Sequence, residues 1–222
     1  MSLLDTAAPV AGFAAVRLGA DGTLLHLASL SPMRVLSSAV VGAGLTMTRH
    51  LVILRVPRDY GGSDPGRDLR EVLAARGIAE PAVGFLTAAA VNTPRVVVEV
   101  SGSVRVLAVV TVGLGNLSAA GLSPPTPRHP GTINALIVVD GTMVPGALVN
   151  AVITATEAKA AALAARCLRT MEGWPATGTS TDAIAVACTG RGPELPYAGP
   201  VTIVGWLIGR AIRRALEEPA RP

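Results

Sequence analysis

The sequence predicts an α+β or α/β fold: a single domain with a mixed β-sheet and flanking helices. Three observations predict it. Half of the 222 residues are hydrophobic and only 15% are charged, so much of the chain must be buried. Aromatic residues make up 3%, which leaves a core of Val, Ala, Leu and Ile, the composition of strands covered by alanine-rich helices. Hairpin signals and long crossover segments both occur, and together they require parallel and antiparallel pairs in one sheet. A chain of this length readily buries one core, so one domain over 1–222 is expected.

The elements follow in order. Residues 12–29 read as a hairpin turning on Gly19-Ala20-Asp21-Gly22. Ser31-Pro32 is the start signal of a short helix to about residue 41, broken by Gly42-Ala43-Gly44. A strand follows over 50–56. Asp64-Pro65 joins an N-cap residue to a proline in the first turn, predicting a helix to residue 76 closed by Gly77. Strands are expected over 83–90, 95–100 and 104–111, the last two joined by a Ser101-Gly102-Ser103 turn. The proline-rich run 123–130 is the one linker-like segment. Residues 133–140 are apolar apart from Asn134 and the closing Asp140, which predicts a central strand. Pro145 opens a long helix to about 169, and 183–188 is a further buried strand. The closing helix over 201–218 either packs on the core or forms a homodimer.

The charge pattern excludes some functions. The pI is near 9.8, but the net charge is only +4, and eighteen of the nineteen cations are arginines spread along the chain. Only Arg210, Arg213 and Arg214 cluster, and aromatic platforms for base stacking are scarce, so no nucleic-acid partner is expected. Cys167 and Cys188 lack CxxC spacing and read as two buried structural thiols in a reducing compartment. The opening MSLLDTAAPVAGF has neither a cationic n-region nor an apolar h-region, so a cytoplasmic protein is expected. Residues 106–127 are uncharged and long enough to raise the question of a membrane span. Their glycines, Asn116 and prolines fit a strand running into a loop, and no membrane segment is expected. His26, His50 and His129 share no HxxxH or HxH spacing, so no metal site is expected.

The chemistry-bearing residues concentrate between 116 and 182. Thr132 stands between the proline-rich run and the buried strand, where a hydroxyl can face a cavity and act as nucleophile, or simply cap a backbone group. Asn150, Thr154 and Glu157 follow i, i+4, i+7 spacing on the long helix and share a face. They can bind polar groups of a substrate, with Glu157 as general base, or form an ordinary solvated stripe. Lys159 is the chain's sole lysine, inside a helix full of alanine. It needs a partner, Asp140 or Asp182, or it steadies a developing oxyanion, as Asn134 or Thr179 could. In Thr177-Gly178-Thr179-Ser180-Thr181-Asp182, glycine allows close approach and successive donors can form an anion-binding nest, or an ordinary threonine-rich turn. Asn116, after Gly113 and Gly115, is a further donor at a strand end.

Several motifs carry a resemblance. Gly131-Thr132-Ile133-Asn134, Asn150, Thr156-Glu157-Ala158-Lys159 and Ala176-Thr177-Gly178-Thr179-Ser180-Thr181-Asp182 stand in the order seen in the adenosylcobinamide amidohydrolase family. Gly84-Phe85-Leu86-Thr87-Ala88-Ala89 and Thr111-Val112-Gly113-Leu114-Gly115-Asn116 resemble it as well, so the likeness spans roughly residues 25–190. The resemblance implies hydrolysis of one amide of adenosylcobinamide, giving adenosylcobyric acid and aminopropanol in cobamide salvage. It implies a small-molecule corrinoid as partner and no cofactor of the enzyme's own, because cobalt enters with the substrate. The catalytic candidates are then Thr132, Glu157, Lys159, Asn134 and Asp182. The substrate-binding candidates are Asn116, Asn150, Thr154, Thr177, Gly178, Thr179 and Thr181. A fainter likeness to the ornithine acetyltransferase family lies in the small residue, threonine, apolar strand, Asp-Gly and long helix. It implies a related fold and a chain that cleaves itself between Gly131 and Thr132. Two alternatives stay open: a non-catalytic corrinoid-binding protein, and an acyltransferase with a threonine nucleophile.

Overall fold

The computed structural model describes residues 14–18, 21–125 and 131–217. Strands β1 (Ala14–Leu18), β2 (Leu24–Ser37) and β3 (Gly44–Arg55) precede helix α1 (Pro65–Ala75). Then come β4 (Ala82–Thr87), β5 (Arg95–Ser101), β6 (Val104–Val112), β7 (Leu117–Ser118), β8 (Ile133–Asp140) and β9 (Thr142–Met143). Helix α2 (Pro145–Ala165), β10 (Gly178–Thr179), β11 (Ala183–Cys188), β12 (Glu194–Leu195) and α3 (Ile203–Glu217) complete the order.

The main sheet runs β4-β3-β2-β11-β8-β6-β5, with β1 paired to β2. It is mixed, as expected: β8 and β11 are parallel, and β6 and β2 flank them antiparallel. The apolar run of β8 is central because every residue from Ile133 to Val139 is buried, on both faces. Ile133, Ala135, Ile137 and Val139 face the helices, while Leu136 and Val138 face the opposite core. Helices α2 and α3 cover the first face with an alanine-rich contact. The second face covers itself. Residues 88–94 alone join β4 at one edge to β5 at the other. A flat sheet of seven strands would hold those edges about 29 Å apart, beyond what that connection spans with slack. The sheet therefore curls, and Leu25, Leu51, Phe85, Val109, Leu136 and Ala185 meet in one interior cluster. Helix α1 packs Leu69 and Leu73 outside β3 and β4. It is capped as expected, the Asp64 carboxylate accepting the Arg67 N–H at 3.0 Å.

Five expectations need correction. Residues 31–37 belong to strand β2, not to a helix. Burial alternates along Met33, Val35 and Ser37, and Pro32 falls in an irregularity between Ala28 and Met33 where no ladder N–H to β3 is needed. The strand expected at 50–56 begins earlier, at Gly44, and the one expected to reach residue 90 ends at Thr87. The long helix stops at Ala165 rather than 169. Cys167 takes a left-handed φ of 52°, its N–H reaching Ala164 O at 2.9 Å and that of Leu168 reaching Leu163 O at 3.2 Å. These two hydrogen bonds form a Schellman closure, and Cys167 is exposed there, contrary to the buried thiol expected; Cys188 is buried in β11. Residues 19–20 of the first turn and 126–130 of the proline-rich run lie outside the described residues. The uncharged run 106–127 is strand β6 followed by loop and β7 as far as it is described. Helix α2 is long and apolar enough to cross a membrane by length and composition, and here its alanine face lies on the sheet.

Candidate active site

Two parallel strands start side by side, and their first residues build the site. Ala183 of β11 is in register with Asn134 of β8, which sets Asp182 beside Ile133 and Thr181 beside Thr132. The Thr132 hydroxyl is hydrogen-bonded to Thr181 Oγ1 and lies 3.4 Å from Thr181 O. Thr181 Oγ1 in turn donates to the Gly131 carbonyl at 3.3 Å. Thr132 is nearly buried, so these bonds fix where its hydroxyl points.

Asp182 is the anchor. Its Oδ1 accepts the Ile133 backbone N–H at 3.1 Å and the Thr179 hydroxyl. Its Oδ2 accepts the Thr179 N–H at 3.1 Å and the Lys159 ammonium. Four donors fill the four lone-pair positions of the carboxylate. This is charge-assisted bonding at a half-buried position, the side chains of Lys159 and Asp182 being 17% and 16% exposed. Gly178 makes room for it: a Cβ there would stand 2.3 Å from Asp182 Oδ2 and 2.7 Å from Lys159 Nζ. Of the two partners foreseen for Lys159, the fold selects Asp182, while Asp140 bonds Thr189 at 2.9 Å.

A cavity of about 540 Å³ opens beside this cluster, lined by Thr132, Ser180, Thr181, Asp182 and Ala183 on one wall. Tyr60 and the Phe85-Leu86-Thr87-Ala88 segment form part of the rest, brought across by the curl of the sheet. Tyr60 donates to Asp68, and burial, reinforced by that bond, pushes its phenol up to about 12. A smaller cavity of about 190 Å³ lies on the helix side, between α2, α3 and β8. Asp182 and Ala183 line both; Lys159 lines only the smaller one, and Asp182 is what links it to the larger cavity.

The other candidates fall elsewhere. Thr179 spends both its N–H and hydroxyl on Asp182, which makes it a strut rather than a free oxyanion donor. The Asn116 side-chain amide donates to Ser180 Oγ at 2.7 Å and the Asn116 backbone carbonyl accepts the Ser180 N–H, pinning the loop before β11. Thr177 ties the same region to the β7 loop by accepting the Ala120 N–H at 2.9 Å. Thr154 is buried and donates to Ala198 O at 2.8 Å, so it joins α2 to the segment before α3. Glu157 is exposed and Asn150 half-buried, and neither lines either cavity. The helical face foreseen for these three is split by the edge of the buried surface. Asn134 is fully buried, lines neither cavity and, among the described residues, has no hydrogen-bond partner for its side-chain amide, as is true of the hydroxyl of its register neighbour Thr111. His26 and His50, scattered in sequence, meet across β2 and β3 with ring nitrogens 3.0 Å apart. Tyr60 and Ser38 line the cavity without having been foreseen from the sequence, whereas Ser180 belongs to the expected 177–182 run. Only the Gly-Gly after Tyr60 hinted at a loop making a close approach.

A hydroxyl held at a cavity, next to a carboxylate that is itself paired with a cation, is an arrangement that enzymes cleaving or transferring acyl groups use. Comparison with known sequences narrows that class. Residues 11–221 match the family model described as adenosylcobinamide amidohydrolase. The chain is 30% identical over 189 residues to the adenosylcobinamide amidohydrolase of Methanosarcina mazei, covering 81% of this chain and 86% of that one. It is 34% identical over 172 residues to the one from Halobacterium salinarum, covering 73% and 70%. An uncharacterized protein of Methanocaldococcus jannaschii shares 36% identity over 90 residues, 40% of this chain and 35% of that one. The chain belongs to the adenosylcobinamide amidohydrolase family and is a hydrolase acting on an amide bond.

Proposed function

We propose that this enzyme hydrolyses the amide joining aminopropanol to adenosylcobinamide, releasing aminopropanol and adenosylcobyric acid, with Thr132 as the attacking group. One observation carries the assignment of Thr132: its hydroxyl is the group held against the 540 Å³ cavity by Thr181, on a wall anchored by Asp182. Family membership supports adenosylcobinamide as the substrate. A cavity of this size suits a drug-sized ligand, so it takes the amide arm while the corrin ring rests at the opening. Thr132 Oγ attacks the amide carbonyl, the carbon–nitrogen bond breaks, and the amine leaves with a proton. Water then cleaves the acyl ester and restores the hydroxyl. The cobalt arrives with the substrate, the enzyme uses no cofactor of its own, and it works in the cytoplasm. Product analysis of adenosylcobinamide incubated with purified enzyme tests the reaction. Equal amounts of aminopropanol and adenosylcobyric acid support it, and cleavage of a different amide overturns it.

A second reading, self-cleavage before Thr132, is favoured by the hydrogen bond from Thr181 Oγ1 to the Gly131 carbonyl at 3.3 Å. That donor stands where an oxyanion would form if Thr132 Oγ attacked the Gly131 carbon, broke its bond to the Thr132 nitrogen and left an ester for water to cleave. The freed amine would supply a base. Among the described residues, the hydroxyl's partners are Thr181 atoms, neither of which takes a proton at neutral pH. Denaturing mass spectrometry separates the two states: two fragments summing to the chain plus one water, or a single chain of 22.5 kDa.

A further inference from the structure

The smaller cavity has a composition that the amide-cleaving site does not use. Its lining includes the apolar side chains of Val110, Ile133, Ile212 and Leu216, and its charged groups are Lys159 and Asp182. The two charges are not equivalent as ligand anchors. Asp182 already accepts four hydrogen bonds, and a cation arriving there finds no lone pair left. Lys159 makes one hydrogen bond among the described residues, to Asp182, and keeps two N–H groups. An ammonium 17% exposed with two unused donors favours an anion. An apolar cavity of about 150 Å³ holds a six-carbon ring, so 190 Å³ admits a ligand with a tail of about four or five carbons and a small head group.

We propose that this cavity binds a short aliphatic carboxylate, with its hydrocarbon tail between β8 and α3 and its carboxylate on Lys159. The cavity is distinct from the one that Thr132 lines, although the two share Asp182. Binding is read without any corrinoid present, so this proposal stands or falls independently of the amide-cleavage assignment.

The test is methyl-labelled NMR of the full chain titrated with sodium pentanoate, and with pentylamine hydrochloride at matched ionic strength. Pentanoate is expected to shift the Ile133, Ile212 and Leu216 methyls saturably, with a dissociation constant in the millimolar range; pentylamine is expected to leave them in place. Ala155→Leu fills the cavity and should abolish the shifts. If that variant does not fold, Lys159→Met serves instead: it should weaken pentanoate at least tenfold relative to wild type while leaving pentanol binding unchanged. No saturable shift with pentanoate, equal binding of pentylamine, or pentanoate binding that survives the folded variant would each overturn the proposal.

Discussion

Asp182 accepts the backbone N–H of Ile133 at 3.1 Å, so the carboxylate at the head of β11 fixes the residue that follows Thr132. Exchanging it for Asn puts an amide N–H against a lysine and a threonine that both donate. Asp182→Asn is expected to lose about 2–3 kcal/mol of stability and on the order of 100-fold in hydrolysis rate. Urea unfolding and aminopropanol release check the two parts. Lys159→Met leaves the three threonine and backbone donors in place, and its stability loss is expected to be the smaller of the two.

Gly178 is needed for the space it leaves. A methyl group there would collide with Asp182 and Lys159, whereas one at Gly115 meets nothing within 4 Å. Gly178→Ala should therefore reduce the rate by on the order of 100-fold, with Gly115→Ala close to wild type. The comparison of initial rates is direct, and equal activity in both would remove the cradle from the account.

Thr154 and Glu157 looked like site residues because the helix places them near one line. The structure gives Thr154 a bond to Ala198 O and leaves Glu157 in solvent. Thr154→Val should cost about 1–2 kcal/mol while keeping KM unchanged. Glu157→Gln should leave the rate within about twofold and stability nearly unchanged, as for an exposed side chain that has no partner among the described residues. Steady-state kinetics beside thermal melts distinguish these outcomes from a shared catalytic role.

Much of the fold was legible because local signals and tertiary burial agreed. The Asp64-Pro65 start of α1, the Gly102 turn and the largely apolar β8 each state their structure in a few residues. The 31–37 segment was misread because Ser-Pro imitates a helix start, whereas its period-two burial depends on a bulge that only pairing with β3 reveals. The Thr132, Thr181 and Asp182 cluster was nameable from the two motifs, but their meeting follows from the parallel pairing of β8 and β11. Tyr60 and the 85–88 wall were invisible as a unit, since the curl of the whole sheet brings them there.

Cys167 closes α2 in a left-handed conformation that glycine adopts without steric cost. Cys167→Gly is expected to stabilise the protein by roughly 1 kcal/mol with no change in activity. Chemical denaturation of both proteins measures it, and a destabilised glycine variant would contradict the proposed closure.

The most direct measurement is aminopropanol release from adenosylcobinamide by wild type, Thr132→Ser and Thr132→Ala, each confirmed folded. The expected result is turnover by wild type and by the serine variant, and none above background by the alanine variant. Turnover at the wild-type rate by folded Thr132→Ala would contradict the central role given to this hydroxyl.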